Sequence, residues 1–384
     1  MKNPDVMPIQ DVSAVRRVLV YSIGSLGDTL CVLPALWAVR QHFANARISL
    51  LVDAQRGRSL VSAREVLEGC GCVDEFLSYP VSGNCAGKAS LALHMFRVVY
   101  EGRYDVLVYL VRCWQGQWRV LRDRLFFAST GIPARIGFEG LPVRPPITSG
   151  VPPPRLPPVA DLLLARLRAS GVPAPAAGEG RYDLALTVAE RAEAQQWLED
   201  RGAPQGRPLL GVGPGSKMPS KIWPVERFGE AVKQLIAETG VWPVVSGGGD
   251  DRELGDRLVA TWGEGTVAAG GLGVRQSAAL LSRCAAYLGN DTGTMHLAAA
   301  VGVPCVGVFS ARDYPGLWEP YGAGHIVLRH DLSCSGCMAQ QCPGHGNECT
   351  RRVGVEDVVA ACSKILKQRR GGTKGIEVVN GEPS

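Results

Sequence analysis

Short β-rich apolar runs that empty into glycine-containing loops, each followed by a helix-length segment, recur through both halves of this 384-residue chain. Val18-Leu19-Val20-Tyr21 leads into Gly24-Ser25-Leu26-Gly27-Asp28-Thr29 and then a helical segment from Leu30 to Phe43. Ile48 to Val52 ends at Asp53, and Val106 to Val111 follows Tyr104-Asp105. In the second half Leu209 to Val212 empties into Gly213-Pro214-Gly215-Ser216, and Val241 to Ser246 into Gly247-Gly248-Gly249. Ala286-Tyr287-Leu288 then runs into Gly289-Asn290-Asp291-Thr292-Gly293, with Val303 to Phe309 beyond it. Strands this short and this uniformly apolar have no wet face, so they belong in parallel sheets covered by helices on both sides. The fold class is therefore α/β, built twice.

Eight prolines between Leu141 and Pro158 separate the two units. That density excludes a helix interior or a central strand and predicts an extended, stiff crossing at the surface. The expected organisation is a flexible amino terminus over 1–15, a first domain over 16–175, a second over 176–366 and a disordered tail over 367–384. Val81 to Ser90 reads as an inserted loop. Two α/β units joined in this way form a cleft, and ligands of such sheets bind beyond the carboxyl ends of the strands. Lys and Arg exceed Asp and Glu only by 41 to 36, too little to indicate a nucleic-acid partner. Met1 to Ala14 has no apolar core of a signal peptide, and no stretch reaches the roughly 18 apolar residues of a membrane span. A protein inside the cell, with peripheral membrane contact left open, is the expectation.

Three loops hold residues suited to chemistry. Asp28 stands at a helix start after a strand, where a carboxylate either caps the helix or accepts a proton from a substrate hydroxyl. Gly27 beside it lets backbone approach a ligand. The loop from Gly213 to Pro224 offers Ser216, Lys217, Ser220 and Lys221 ahead of a helix, either as a phosphate site or as an exposed basic loop anchored by Trp223. Of the two lysines, Lys221 is preferred because Trp223-Pro224 fixes it. In the third loop Asp291, Thr292 and Gly293 lead into a helix carrying His296, which either contacts a diphosphate or is a hydrogen-bonded core residue. The Gly247-Gly248-Gly249-Asp250-Asp251 turn could shape a nucleotide pocket. Neither the three-glycine dinucleotide fingerprint nor a P-loop is present, which disfavours a nicotinamide dehydrogenase.

These blocks, in this order, resemble the ADP-heptose:lipopolysaccharide heptosyltransferases, glycosyltransferase family 9. Tyr21 to Thr29 with Leu33-Pro34-Ala35-Leu36, Ser220 to Phe228, and Gly289 to Ala300 carry the likeness. The resemblance, closest in flavour to the second inner-core heptosyltransferase, implies a GT-B fold: two Rossmann-like domains facing across a cleft. The first would bind acceptor and the second a nucleotide-diphosphate sugar. It implies inverting transfer of heptose from ADP-heptose to a hydroxyl of a lipopolysaccharide inner-core acceptor, with no cofactor for catalysis. Asp28 would be the general base and Lys221 the phosphate-neutralising cation. Gly27, Ser216, Ser220, Asp291, Thr292, Gly293 and His296 would line the donor site. The expected partners are the donor and an anionic glycolipid, at the inner face of a bacterial inner membrane. A protein, O-chain glycan or small-molecule acceptor, or another nucleotide sugar, would need the same fold and chemistry. A non-catalytic sugar-nucleotide binder would not need Asp28.

Two further features stand apart. Cys334, Cys337, Cys342 and Cys349, with His345, crowd into one segment. They read as a structural zinc or iron site, as packed free thiols, or as one or two disulfides. Arg112 to Arg119, with Trp114, Trp118 and the nearby Arg122 and Arg124, reads either as a sugar- and phosphate-binding stretch or as ordinary surface.

Overall fold

A computed structural model describes residues 11–54, 61–80, 85–111, 116–141, 144–148 and 150–371. The first unit runs β1 (Arg17–Tyr21), α1 (Leu26–His42), β2 (Arg47–Ala54), α2 (Ala63–Leu67) and β3 (Glu75–Pro80). It continues with α3 (Cys85–Glu101), β4 (Val106–Tyr109), α4 (Gln117–Ser129) and β5 (Ala134–Ile136). Its strands pair in the order β3-β2-β1-β4-β5, all parallel. The chain winds outward from β1 on one side and returns past it to β4, so helices must cover both faces. Val18, Leu19 and Val20 of the central strand are fully buried, as their unbroken apolar run requires.

Helices α5 (Val159–Ala169) and α6 (Val188–Glu199) lead into the second unit. There β6 (Leu209–Gly213), α7 (Val225–Thr239), β7 (Trp242–Val245), α8 (Arg252–Trp262), β8 (Thr266–Val267) and α9 (Val274–Leu281) follow one another. Then come β9 (Cys284–Asn290), α10 (Gly293–Ala299), β10 (Cys305–Phe309), β11 (Ile326–Arg329), α11 (Glu348–Arg351) and α12 (Val355–Gly371). The order is β11-β10-β9-β6-β7-β8, again parallel throughout. Two helix-covered parallel sheets are the GT-B arrangement that the resemblance implies.

Helix α1 explains how the units meet. Residues Thr29 to Val39 are buried without interruption, because α1 lies against α5 on its own side and α10 on the other. A helix apolar all round is a helix buried all round. The proline-rich crossing is fastened down rather than loose. Leu156 N–H donates to Pro315 O (2.8 Å), Val159 N–H to Leu317 O (3.1 Å), and Arg155 pairs with Glu319. Where an inserted loop was expected, α3 begins at Cys85 and packs Leu91, Met95 and Val99 onto the sheet. Residues 81–84 and 112–115 lie outside the described residues, as do 1–10 and 372–384.

Candidate functional site

The carboxyl ends of β1 and β9 face each other where α1 meets α10, and most of the singled-out residues gather there. Ser25 and Asp28 form a capping box at the entry to α1: Asp28 Oδ2 accepts the Ser25 N–H at 2.9 Å and the Ser25 hydroxyl at 3.4 Å. Gly24 turns the chain at φ +141°, and a Cβ there would collide with the Asp28 side chain, so only glycine fits. Asp53 at the end of β2 accepts the Gly24 N–H at 3.2 Å. Asp28 is thus a capping carboxylate that is also half-exposed at the junction.

The opposing entry is Asp291-Thr292-Gly293. A Cβ on Gly293 would press into Leu26 at 2.9 Å, and one on Gly27 would lie 3.5 Å from His296 Cδ2. The two helix starts therefore abut, with Gly27 and Gly293 making room. His296 is buried, its Nδ1 4.0 Å from Cys31 Sγ on α1, and its carbonyl accepts the Tyr182 hydroxyl at 3.2 Å. Burial pushes the His296 imidazole down to about 4, against the opposing pull of Asp291, so the ring is neutral near pH 7. Burial likewise holds the Cys31 thiol protonated, with Asp28 and Asp291 adding to the effect. Asp28, Asp291 and Lys221 all lie close enough to bear on both groups.

Lys221 and Asp291 form an ion pair at 2.6 Å, with side chains 12% and 7% exposed. The pair sits where the β6–α7 loop and the β9–α10 loop come together. Asn290, fully buried, holds them in register: its Oδ1 accepts the Trp223 N–H at 3.0 Å and its Nδ2 donates to Pro214 O at 2.7 Å. Trp223 in turn is wholly buried against Phe228 and donates its indole N–H to Val353 O. At the start of α10 the hydroxyls of Tyr287, Thr294 and Thr292 form a chain at 2.8 and 2.9 Å. Ser216 accepts the Met218 N–H, which shapes the loop. Ser220 is buried and donates its hydroxyl to Ala339 O, so it ties Lys221 to the cysteine segment. Asp251 lies against Gly215 and Gly247 and accepts the Gly248 N–H, closing the wall on the β7 side.

Asn290, Cys31 and Tyr182 were not singled out from sequence. Asn290 carried one signal, a carboxamide ending an apolar strand just before a Thr-Gly helix entry. Cys31 and Tyr182 carried none, since each acts only through a partner in the other half.

The metal reading of the cysteine segment is overturned. Among the described residues no three His, Cys, Asp or Glu side chains are arranged to hold a metal ion. Cys334, Cys337, Cys342, His345 and Cys349 line a cavity of about 60 Å³, and these four cysteines are free thiols. The segment's path is set by other bonds, among them Gly336 N–H to Ala311 O, Met338 N–H to Arg312 O, and the Arg312 guanidinium to Ala339 O. Burial and the neighbouring sulfurs push the Cys334 thiol up, which keeps it protonated. A wider cavity of about 460 Å³, lined by Gln195, Gly206, Arg207 and Arg283, opens at the amino ends of β6 and β9. Ligands of parallel sheets bind at the opposite edge, and no residue of the junction reaches it.

The description "glycosyltransferase family 9 (heptosyltransferase)" belongs to the family model that matches residues 164–346. Lipopolysaccharide heptosyltransferase 2 of Salmonella typhimurium is 37% identical over 150 residues, 38% of this chain and 42% of that protein. The chain thus spans less than half the length of the curated relative it matches. Among solved structures, the family 9 glycosyltransferase of Veillonella parvula superposes with a TM-score of 0.69 at 22% identity, covering 92% of this chain and 97% of that one. ADP-heptose lps heptosyltransferase II of E. coli gives 0.65 at 20% identity, covering 92% and 99%. These superpositions share the two-sheet fold over nearly the whole chain. Residues 164–346 of the chain, largely its second half, thus resemble glycosyltransferase family 9, the heptosyltransferases.

Proposed function

We propose that this protein is an inverting glycosyltransferase that moves heptose from ADP-heptose to a hydroxyl of a lipopolysaccharide inner-core acceptor. The half over 16–175 would receive the acceptor and the half over 176–366 the donor. The observation that carries this reading is the meeting of a half-exposed carboxylate, Asp28, with the Lys221–Asp291 pair across the abutting entries of α1 and α10.

In the proposed reaction the acceptor oxygen attacks the anomeric carbon from the Asp28 side while the bond to the diphosphate breaks on the other. Asp28 takes the hydroxyl proton as the new bond forms, which suits an ordinary carboxylate because the oxygen becomes acidic only during attack. Lys221, with the backbone at Thr292 and Gly293, offsets the charge that grows on the leaving diphosphate. Asp291 holds the Lys221 ammonium in place before the donor arrives. His296 enters as a neutral imidazole, a hydrogen-bonding wall rather than a cation. The abutting helix entries hold donor and acceptor groups in fixed geometry, a large share of what such a site can contribute.

The test is incubation with a panel of nucleotide sugars and acceptors, followed by product mass and anomeric configuration. Heptose addition to an inner-core acceptor with inversion is the expected result. Transfer only to a protein, an O-chain glycan or a small molecule would move the acceptor assignment, and retention of configuration would remove Asp28 from its role.

A further inference from the structure

The outward faces of α3 and α4 have no part in that reading. Both helices cover one face of the first sheet, with Met95 and Val99 of α3 and Val120 and Phe127 of α4 packed toward Tyr21 and Tyr109. A helix with a sheet behind it and water in front ordinarily turns polar residues outward. Helix α4 does not. Trp118, Leu121 and Leu125, spaced i, i+3, i+7, form an outward stripe and are 83%, 43% and 62% exposed. Helix α3 adds Leu93 and Tyr100, seven residues apart and 70% and 61% exposed.

The charge on this face is mainly positive: on α3 the exposed Arg97 pairs with Glu101, and α4 adds an excess of arginine. Helix α4 carries Arg119, Arg122 and Arg124 against Asp123 alone. Asp123 is turned inward, where it accepts the Tyr109 hydroxyl at 3.0 Å, while its partner Arg122 remains 69% exposed. Because β4 runs parallel to β1, α4 starts from the same sheet edge as the helix bearing Asp28. No helix among the described residues is long and apolar enough to cross a membrane. An aromatic and leucine stripe flanked by arginines is the pattern of a helix that lies in an anionic bilayer interface. A second copy of the same face would bring arginines against arginines, which the charge pattern opposes.

We propose that the outward face of α3 and α4 docks the protein on an anionic phospholipid bilayer. Trp118, Leu121 and Leu125 enter the boundary between headgroups and chains, and the arginines meet lipid phosphates. The proposal extends the transferase reading, since a lipid-anchored acceptor would then meet the cleft at the bilayer surface, but docking itself needs neither donor nor acceptor.

The experiment is therefore co-sedimentation of the full chain, without substrates, on two kinds of vesicle. One is a phosphatidylethanolamine and phosphatidylglycerol mixture and the other is phosphatidylcholine alone. The parent chain should bind the anionic vesicles about tenfold or more tightly than the neutral ones, and less tightly as salt is raised. Trp118→Ser/Leu121→Ser/Leu125→Ser should weaken binding by about tenfold or more with an unchanged melting temperature. Leu93→Ser/Tyr100→Ser, on the other helix, should act in the same direction. Equal binding to both vesicles, or undiminished binding by both variants, would overturn the proposal. So would a parent dimer that ignores vesicles and that the triple variant converts to monomer. None of these readouts depends on transferase activity, so the two readings fail separately.

Discussion

Asp28 serves two masters: its carboxylate accepts the Ser25 N–H that opens α1, and in the proposed reaction it accepts the acceptor's proton. Asp28→Asn separates these duties, because a carboxamide oxygen still accepts from Ser25 but is no base. The variant should melt near the parent temperature and bind donor as before, with transfer reduced roughly 1,000-fold in steady-state assays. Lys221 is different, since its charge is matched in the resting protein. Lys221→Ala leaves Asp291 largely buried and unpaired, which should cost on the order of 3 kcal/mol in urea unfolding as well as donor affinity. Lys221→Ala/Asp291→Ala should recover most of the stability and none of the affinity. If the double variant also recovered donor binding, Lys221 would not be the phosphate cation.

At the scale of elements, the proposed donor side is two loops held by one buried carboxamide. Asn290→Ala strands the Trp223 N–H and the Pro214 carbonyl away from water. A loss of roughly 2–4 kcal/mol is expected, together with weaker ADP binding by calorimetry, since Lys221 follows directly on the loop that slackens. Much of this level was legible in the sequence. The strand-loop-helix rhythm located β1, β2, β4, β6, β7, β9 and β10, because fully buried parallel strands are unbroken apolar runs. Helices α2, α3, α4, α6, α11 and α12 escaped notice; α3 and α4 were hidden by their second apolar face, which blurs the helical period that marks a one-sided helix. The site was legible where residues are neighbours in sequence, as at Asp291-Thr292-Gly293. It was illegible where a partner lies in the other half, as for Cys31 beside His296. Four closely spaced cysteines suggested a metal, but spacing says nothing of where backbone bonds to Ala311 and Arg312 direct the sulfurs.

Across the whole molecule, the seam between halves carries a titratable group. His296 sits there neutral, lowered from an ordinary 6.5 to about 4 by burial. A depressed histidine binds its proton more readily when unfolded, so stability is full above pH 6.5 and is lost as pH falls toward 4. The shift corresponds to roughly 3 kcal/mol. Urea melts at pH 7.5 and 4.5 should show that loss in the parent and a loss smaller by about this amount in His296→Gln; equal losses would show that another group governs the acid limb.

The bonded stretch between 156–159 and 315–317 has a consequence for how nucleotide would leave in the proposed reaction. Two main-chain rungs and the Arg155–Glu319 pair join the halves along one margin, as a binding joins the covers of a book. In the proposed reaction, an opening about that spine would part Asp28 from Lys221 at the fore-edge and free product by the same lips through which the sugar entered.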